Sequence, residues 1–164
     1  MATTGRSKQL TKQIGEYLVS AELCRRGLIS TTFTGNVPSF DVLAINEKLK
    51  PIPIQVKTIT RGSWQFDGKT FLEISISNGT QKVKGKISLP NPDLICVFVR
   101  LKGQNQDEFY ICRMRDLQEI IYRNYTTWLD KNKGRRPKNP NSTHCTVSPD
   151  DLKDYKNKWE MIAK

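Results

Sequence analysis

Asp41, Gln55 and Lys57 are the residues whose types and spacing could do chemistry. They lie in FDVLAINEKLKPIPIQVKT, residues 40–58, which reads as two apolar strands, Phe40–Ile45 and Ile52–Thr58, joined by a polar hinge around Pro51 and Pro53. That pattern predicts a hairpin. Side chains alternate along a strand, so Gln55 and Lys57 share one face and Val56 takes the other. A hairpin brings Asp41 towards them. Carboxylate and carbonyl oxygens are the hard ligands that Mg²⁺ prefers, and a neighbouring ammonium can steer or deprotonate water.

The elements that must position these groups start upstream. Residues 8–26 read as a helix, with Leu10, Ile14, Tyr17, Ala21 and Cys24 recurring at spacings of four and three and Gly27 suited to the position just past its end. Glu16 falls on the opposite side of that helix, among Val19, Ser20 and Leu23. It reads either as a partly enclosed acid or as a surface Glu paired with Arg26. A short β-branched segment, 28–34, and the turn Gly35-Asn36-Val37-Pro38-Ser39 then deliver the chain to Asp41, with Pro38 holding Val37 extended.

Asp41, thirteen residues, then Gln55-Val56-Lys57 resembles the PD-(D/E)XK nuclease motif in its Q-x-K variant. The helix carrying Gly15-Glu16 and then Ala21, Glu22, Leu23 and Gly27 is similar to the first helix of Holliday-junction resolvases, and the match extends to small intron-encoded homing endonucleases. The resemblance covers about the first sixty residues well and the remainder by strand and helix order. It implies an α/β, restriction-endonuclease-like core with a mixed central β-sheet flanked by helices. It also implies a Mg²⁺ site, with Mn²⁺ as substitute, held by Asp41, Gln55, the Val56 carbonyl and Glu16, while Lys57 activates water. The departure is Gln55, where most relatives carry Asp or Glu. An amide removes one negative charge, worth on the order of 4 kcal/mol for charges about 4 Å apart at an effective dielectric near 20, so one metal is expected rather than two.

Lys and Arg number 27 against 16 acids, a formal net charge of +11. Such an excess favours a polyanionic partner, through counterion release, and the nuclease resemblance implies that this partner is DNA. Four scattered cysteines and a single histidine, His144, argue against zinc-finger and histidine-based metal sites. Cys24, Cys96 and Cys112 lie in apolar runs and read as core residues. No small-molecule cofactor is expected, since Walker and dinucleotide glycine loops are missing from the sequence. Neither a signal peptide nor a membrane span is expected, and a cytoplasmic location is the default.

At 164 residues the chain is expected to form one domain, with residues 1–7 as a flexible arm and 131–147 as a basic loop. The loop at 59–68 contains Arg61 for phosphate and two aromatics, Trp64 and Phe66, that suit core packing. Residues 71–77 read as a third strand of the sheet. Lys82, Lys84 and Lys86 then line one face of an extended run, either tracking phosphates or guarding a solvated edge. Residues 94–101 predict a buried strand, 109–112 its hairpin partner, 114–130 an amphipathic helix and 150–163 a last helix. In KNKGRRPKNPN, Arg135 and Arg136 suit a phosphate clamp or a plain connection. Three functions remain open: a metal-dependent DNA endonuclease, a weak or inactive nucleic-acid-binding protein on the same fold, or a structural protein with a basic surface. Duplex cutting adds the expectation of a homodimer.

Overall fold

The computed structural model describes residues 5–35 and 37–162. Helix α1 (Gly5–Arg25) leads into β1 (Ile29–Thr32), β2 (Val42–Ile45) and β3 (Pro51–Ile59). After these come β4 (Trp64–Asp67), β5 (Leu72–Ser77), β6 (Thr80–Lys86), β7 (Ile95–Arg100) and β8 (Glu108–Arg113). Helix α2 (Met114–Lys131), strand β9 (His144–Val147) and two short 3₁₀ segments, Asp150–Tyr155 and Trp159–Met161, complete the chain.

Five strands form the central sheet in the order β1-β2-β3-β7-β8. It is a mixed sheet: β3 and β7 run parallel, and the other neighbours are antiparallel. One face buries Val42, Ala44, Ile54, Val56, Val97 and Val99 beneath Val19 and Leu23 of α1. The other buries Cys96, Phe98 and Cys112 beneath Leu117, Ile121 and Tyr125 of α2. The expected architecture, a mixed central sheet flanked by helices, is therefore the one observed.

The hairpin of β2 and β3 holds because its hinge satisfies its own backbone: the Asn46 side-chain oxygen accepts from the Lys48 and Lys50 amides at 3.1 and 3.0 Å. Pro51 and Pro53 are tolerated because the face of β3 that lacks their N–H groups is not yet paired; β7 joins only from Ile54 opposite Ile95. Helix α1 ends where expected. Gly27 takes a left-handed φ of 82°, with the Leu28 amide donating to Leu23 O and the Gly27 amide to Cys24 O.

Several expectations are corrected. The apolar series on α1 faces outward: Leu10, Ile14 and Tyr17 are 49%, 46% and 54% exposed, and Cys24 is exposed with them. The buried face is Gly15, Val19 and Leu23. The helix already contains Gly5, Arg6 and Ser7, which were expected in the N-terminal arm; residues 1–4 lie outside the description. Residues 71–77 do not extend the central sheet; β5 pairs only with β6, in a hairpin of its own. Trp64–Asp67, expected as loop, is a strand paired with β9, so the basic loop stops before His144 instead of running to residue 147. The last helix is replaced by the two 3₁₀ segments, separated by Asn157 at a φ of 55°, whose amide donates to Phe109 O; Ala163 lies outside the described residues. Among the described residues no helix is long and apolar enough to cross a membrane.

One contact sets the position of α1 on the sheet. A Cβ at Gly15 would lie 1.8 Å from Thr58 Oγ1 and 2.9 Å from Thr58 Cβ, so the helix approaches β3 as closely as it does only because residue 15 has no side chain. Thr58 follows Lys57 and Gly15 precedes Glu16, so this contact fixes one side of the candidate site against the other. Gly15→Ala is expected to lower unfolding free energy by about 1–3 kcal/mol, the usual cost of overpacking. Denaturant titration checks it; an unchanged midpoint would show that the helix moves freely on the sheet.

Candidate active site

Strand β2 starts late. Its first residue, Val42, pairs with Ile54, and beyond that point β3 continues with no strand on that side among the described residues. The Asp41 amide still donates to Ile54 O at 2.9 Å, and the Asp41 side chain then takes over from the missing strand: Oδ2 accepts from the Val56 amide at 2.9 Å. On a strand the N–H and C=O of one residue point to the same side, so the Val56 carbonyl is directed towards Asp41 as well. The turn before it is set by Ser39, whose φ is 77°, a left-handed conformation held where the chain bends into Asp41. Phe33 and Phe40 pack edge to face at 5.5 Å and close the segment on itself; Asn36, part of the turn expected there, lies outside the description.

From α1, Glu16 and Lys12 reach the same place. The Lys12 ammonium lies 3.1 Å from Asp41 Oδ1 and 3.5 Å from Glu16 Oε1, bridging the two carboxylates. Both acids are largely enclosed, with side chains 13% and 15% exposed for Glu16 and Asp41. They line a small cavity of about 50 Å³ together with Phe33, Gly35, Val37 and Phe40. Glu16 is thus the enclosed acid. Arg26, its alternative partner in the sequence, pairs with Glu22 at 2.5 Å. Burial pushes the Glu16 carboxyl above its ordinary value, Lys12 pulls it back and the Asp41 charge pushes it up again. The hydrogen bond to Asp41 raises the Lys12 ammonium, against the opposing effect of burial.

Gln55 and Lys57 open onto the other face of β3. They line a cavity of about 350 Å³ with Phe66, Leu89, Met114 and Leu117, on the side that α2 covers. Ser39, two residues before Asp41, lines that cavity too, so Asp41 stands at the strand edge between the two spaces. Lys57 is fixed at its backbone, whose carbonyl accepts from Trp64 Nε1 at 3.0 Å, and its ammonium lies over the Phe66 ring at 5.8 Å. Trp64 is 2% exposed and is a core residue. Beside Gln55, on the neighbouring strand β7, Cys96 is pushed up to about 12 by burial, with Lys57 acting against the shift and Asp116 and Asp41 adding to it. That thiol stays protonated and inert.

The basic residues are distributed over separate elements. Lys82, Lys84 and Lys86 are exposed on β6; Lys84 stands 3.9 Å from Glu73, and Lys86 pairs with Glu119 and lies over the Tyr122 ring. Arg135 is tied to the start of the same strand, with its backbone bridged to Thr80 and Nε donating to Thr80 Oγ1 at 3.3 Å. Arg136 turns inward: its guanidinium lies 4.5 Å above the Trp128 ring and donates to His144 O at 2.5 Å. Arg61 is exposed in the turn after β3.

The residues fit a divalent cation by one observation: a positive charge already sits between the Asp41 and Glu16 oxygens, supplied by Lys12. The Val56 carbonyl is directed to the same side, and these are the hard oxygens such an ion selects. Among the described residues no third His, Cys, Asp or Glu completes a cluster, so further donors have to be the Gln55 amide, backbone or water. Lys12 was not singled out by the sequence, although its i, i+4 spacing to Glu16 is a recognisable ion-pair signal.

No family model matches this chain, and no curated protein does. Among solved structures, it is similar to a bacterial homing endonuclease, I-Ssp6803I, at 12% identity with a TM-score of 0.52, over 96% of this chain and 93% of that one. The fold is nuclease-like. At that identity the likeness concerns the arrangement of elements, which here runs nearly end to end and puts β2 and β3 within the shared frame.

The raised Glu16 carboxyl gives a stability signature. A folded value above the unfolded one means that the native state binds the extra proton, so stability falls as pH rises from the ordinary carboxylate range through that raised value. Glu16→Gln keeps the shape without the charge. Thermal melts are expected to show the variant above the wild type at neutral pH, with the gap closing at acidic pH; a pH-independent gap would mean that Glu16 is not held in a desolvating site.

Proposed function

We propose that this chain is a metal-dependent endonuclease that hydrolyses DNA phosphodiesters. The observation that carries this reading is the Lys12 ammonium held between Asp41 and Glu16 where β3 runs on beyond the start of β2, in a nuclease-like fold. Asp41, Glu16 and the Val56 carbonyl would hold Mg²⁺, or Mn²⁺ in its place, and the Gln55 amide oxygen would have to turn from the far face of β3 to join them. When bound, the ion supplies charge for the phosphate oxygens and lowers the pKa of its water. Lys57 orients the attacking water and stabilises the charge that develops on phosphorus oxygens. Phe66 and Leu89 keep the Lys57 side of the strand apolar, which strengthens that interaction. Arg61, Lys82, Lys84, Lys86 and Arg135 provide phosphate contacts, and the net charge of +11 draws the polyanion in. Arg136, stacked inward, supports the loop that presents Arg135.

A homodimer belongs to this reading, because cutting two strands calls for two sites. The outward series Leu10, Ile14 and Tyr17 on α1 is an apolar surface for it. Light scattering is expected to give twice the monomer mass; a monomer at working concentration with duplex cleavage intact would remove the dimer from the model.

A second reading is favoured by Gln55 and by its opening, with Lys57, onto the far side of β3 from Glu16: a DNA-binding protein that retains the fold with little or no activity. Supercoiled plasmid, single-stranded DNA and a four-way junction, each with Mg²⁺, Mn²⁺ or EDTA, separate the two. For the endonuclease, Asp41→Ala and Lys57→Ala each lower cleavage by about a hundredfold or more, in line with the loss of a positioned catalytic group, while DNA binding persists. Binding without metal-dependent cleavage by the wild type would establish the second reading instead.

A further inference from the structure

We propose that Lys12 is a resident competitor for the metal seat: its ammonium occupies the space between Asp41 and Glu16 until a divalent cation displaces it. The inference rests on the reading of those two acids as metal ligands and adds what controls entry to them. Three observations carry it. The ammonium is within hydrogen-bonding range of Asp41 Oδ1 and in ion-pair range of Glu16 Oε1. Asp41 Oδ2 is already engaged by the Val56 amide, so Oδ1 is the oxygen left to receive a cation, and Lys12 is on it. The acids are 13% and 15% exposed whereas the Lys12 side chain is 57% exposed, so the carboxylates are fixed and the lysine is the part able to swing into solvent.

An ammonium and a metal ion cannot share these oxygens. Mg²⁺ binds at about 2.1 Å from its ligands, inside the space that the Lys12 head fills, and the two are like charges. A divalent ion displaces the ammonium because it brings twice the charge to two carboxylates. Lys12 therefore keeps the acids apart from solvent monovalent ions and together with each other in the metal-free protein, and it lowers the apparent metal affinity by the free energy of its own two contacts. Mostly exposed ion pairs are weak, which sets the expected effect of removing this one at about three- to tenfold in affinity.

Isothermal titration of MgCl₂ and MnCl₂ into the DNA-free chain tests this without reference to cleavage. Lys12→Met is expected to bind about three- to tenfold more tightly than the wild type. Lys12→Arg, which keeps the charge, and Lys8→Met, which removes an exposed charge from the same helix, are expected to bind as the wild type does. Thermal melts by circular dichroism verify that each variant is folded, and Lys12→Gln serves as a second neutral variant. Equal or weaker binding by Lys12→Met and Lys12→Gln would overturn the inference and leave the metal-dependent reading standing. An equal gain from Lys8→Met would overturn it too, in favour of general charge. No binding by any form would overturn both.

Discussion

The structure turns on a strand that stops short. Because β2 begins at Val42, the β3 backbone beyond Ile54 has an edge inside the sheet, and an unpaired N–H there costs about as much as a lost hydrogen bond. Asp41 meets that demand with a side chain where a strand would have offered a carbonyl. The consequence is chemical as well as structural: a carboxylate is fixed at the sheet edge with one oxygen held by the Val56 amide and the other paired with Lys12, beside a peptide carbonyl directed the same way. A longer β2 would have satisfied Val56 through its backbone and left no place for a cation. The site follows from incompleteness in the ladder.

The second carboxylate depends on how closely α1 can lie. Gly15 lets the helix rest on Thr58, and this brings Glu16, the next residue, down beside Asp41 while Val19 and Leu23 fill the core below. Burial is what makes Glu16 useful and costly together, since the desolvation that raises its carboxyl also strengthens its attraction for any cation that reaches it. The arrangement spends stability on a charge that an ordinary helix surface would have kept in water, and the close packing of α1 has to offset that.

Much of this was legible in the residues. The β2–β3 hairpin, the buried β7, the amphipathic α2 and the Gly27 helix end follow from local patterns that survive in any tertiary context: alternation, apolar runs, a glycine where φ is positive. The helix wheel left Glu16 open between an enclosed acid and a surface partner of Arg26, and the structure encloses it. What was not legible was which helix face wins. The series Leu10, Ile14, Tyr17, Ala21 and Cys24 is the more regular apolar stripe, yet the face with Gly15 is buried, because the sheet selects for close approach and a wheel counts only hydrophobicity. The same limit explains β5: FLEISIS alternates correctly for a strand, but alternation does not say which sheet receives it, and Gln118, donating to Phe71 O and Ile87 O at 2.8 Å, holds that hairpin against α2 instead. Residues 150–162 carry helical spacing at Leu152, Tyr155 and Trp159, but the bond from Asn157 to Phe109 O takes the backbone out of helical register. Long-range backbone partners of this kind leave no local trace.

In the proposed metal site, the charge count gives the amide at position 55 a physical meaning. In the proposed metal-bound state two carboxylates balance one divalent ion without a third acid, and adding one would leave that site net negative once Lys12 has been displaced. With a single ammonium the same two acids keep one negative charge, which a divalent ion can still gain from. A carboxylate at 55 would deepen the well for metal but would also bring a third like charge to a desolvated edge, where each repulsion is less screened than in water. Placing a neutral oxygen donor there keeps the metal-free protein close to neutral at that edge, at the cost of weaker attraction for the ion. The positive charge of the chain is accordingly carried elsewhere, on β6, the turn after β3 and the loop after α2, where water screens it and a phosphate backbone would meet it first.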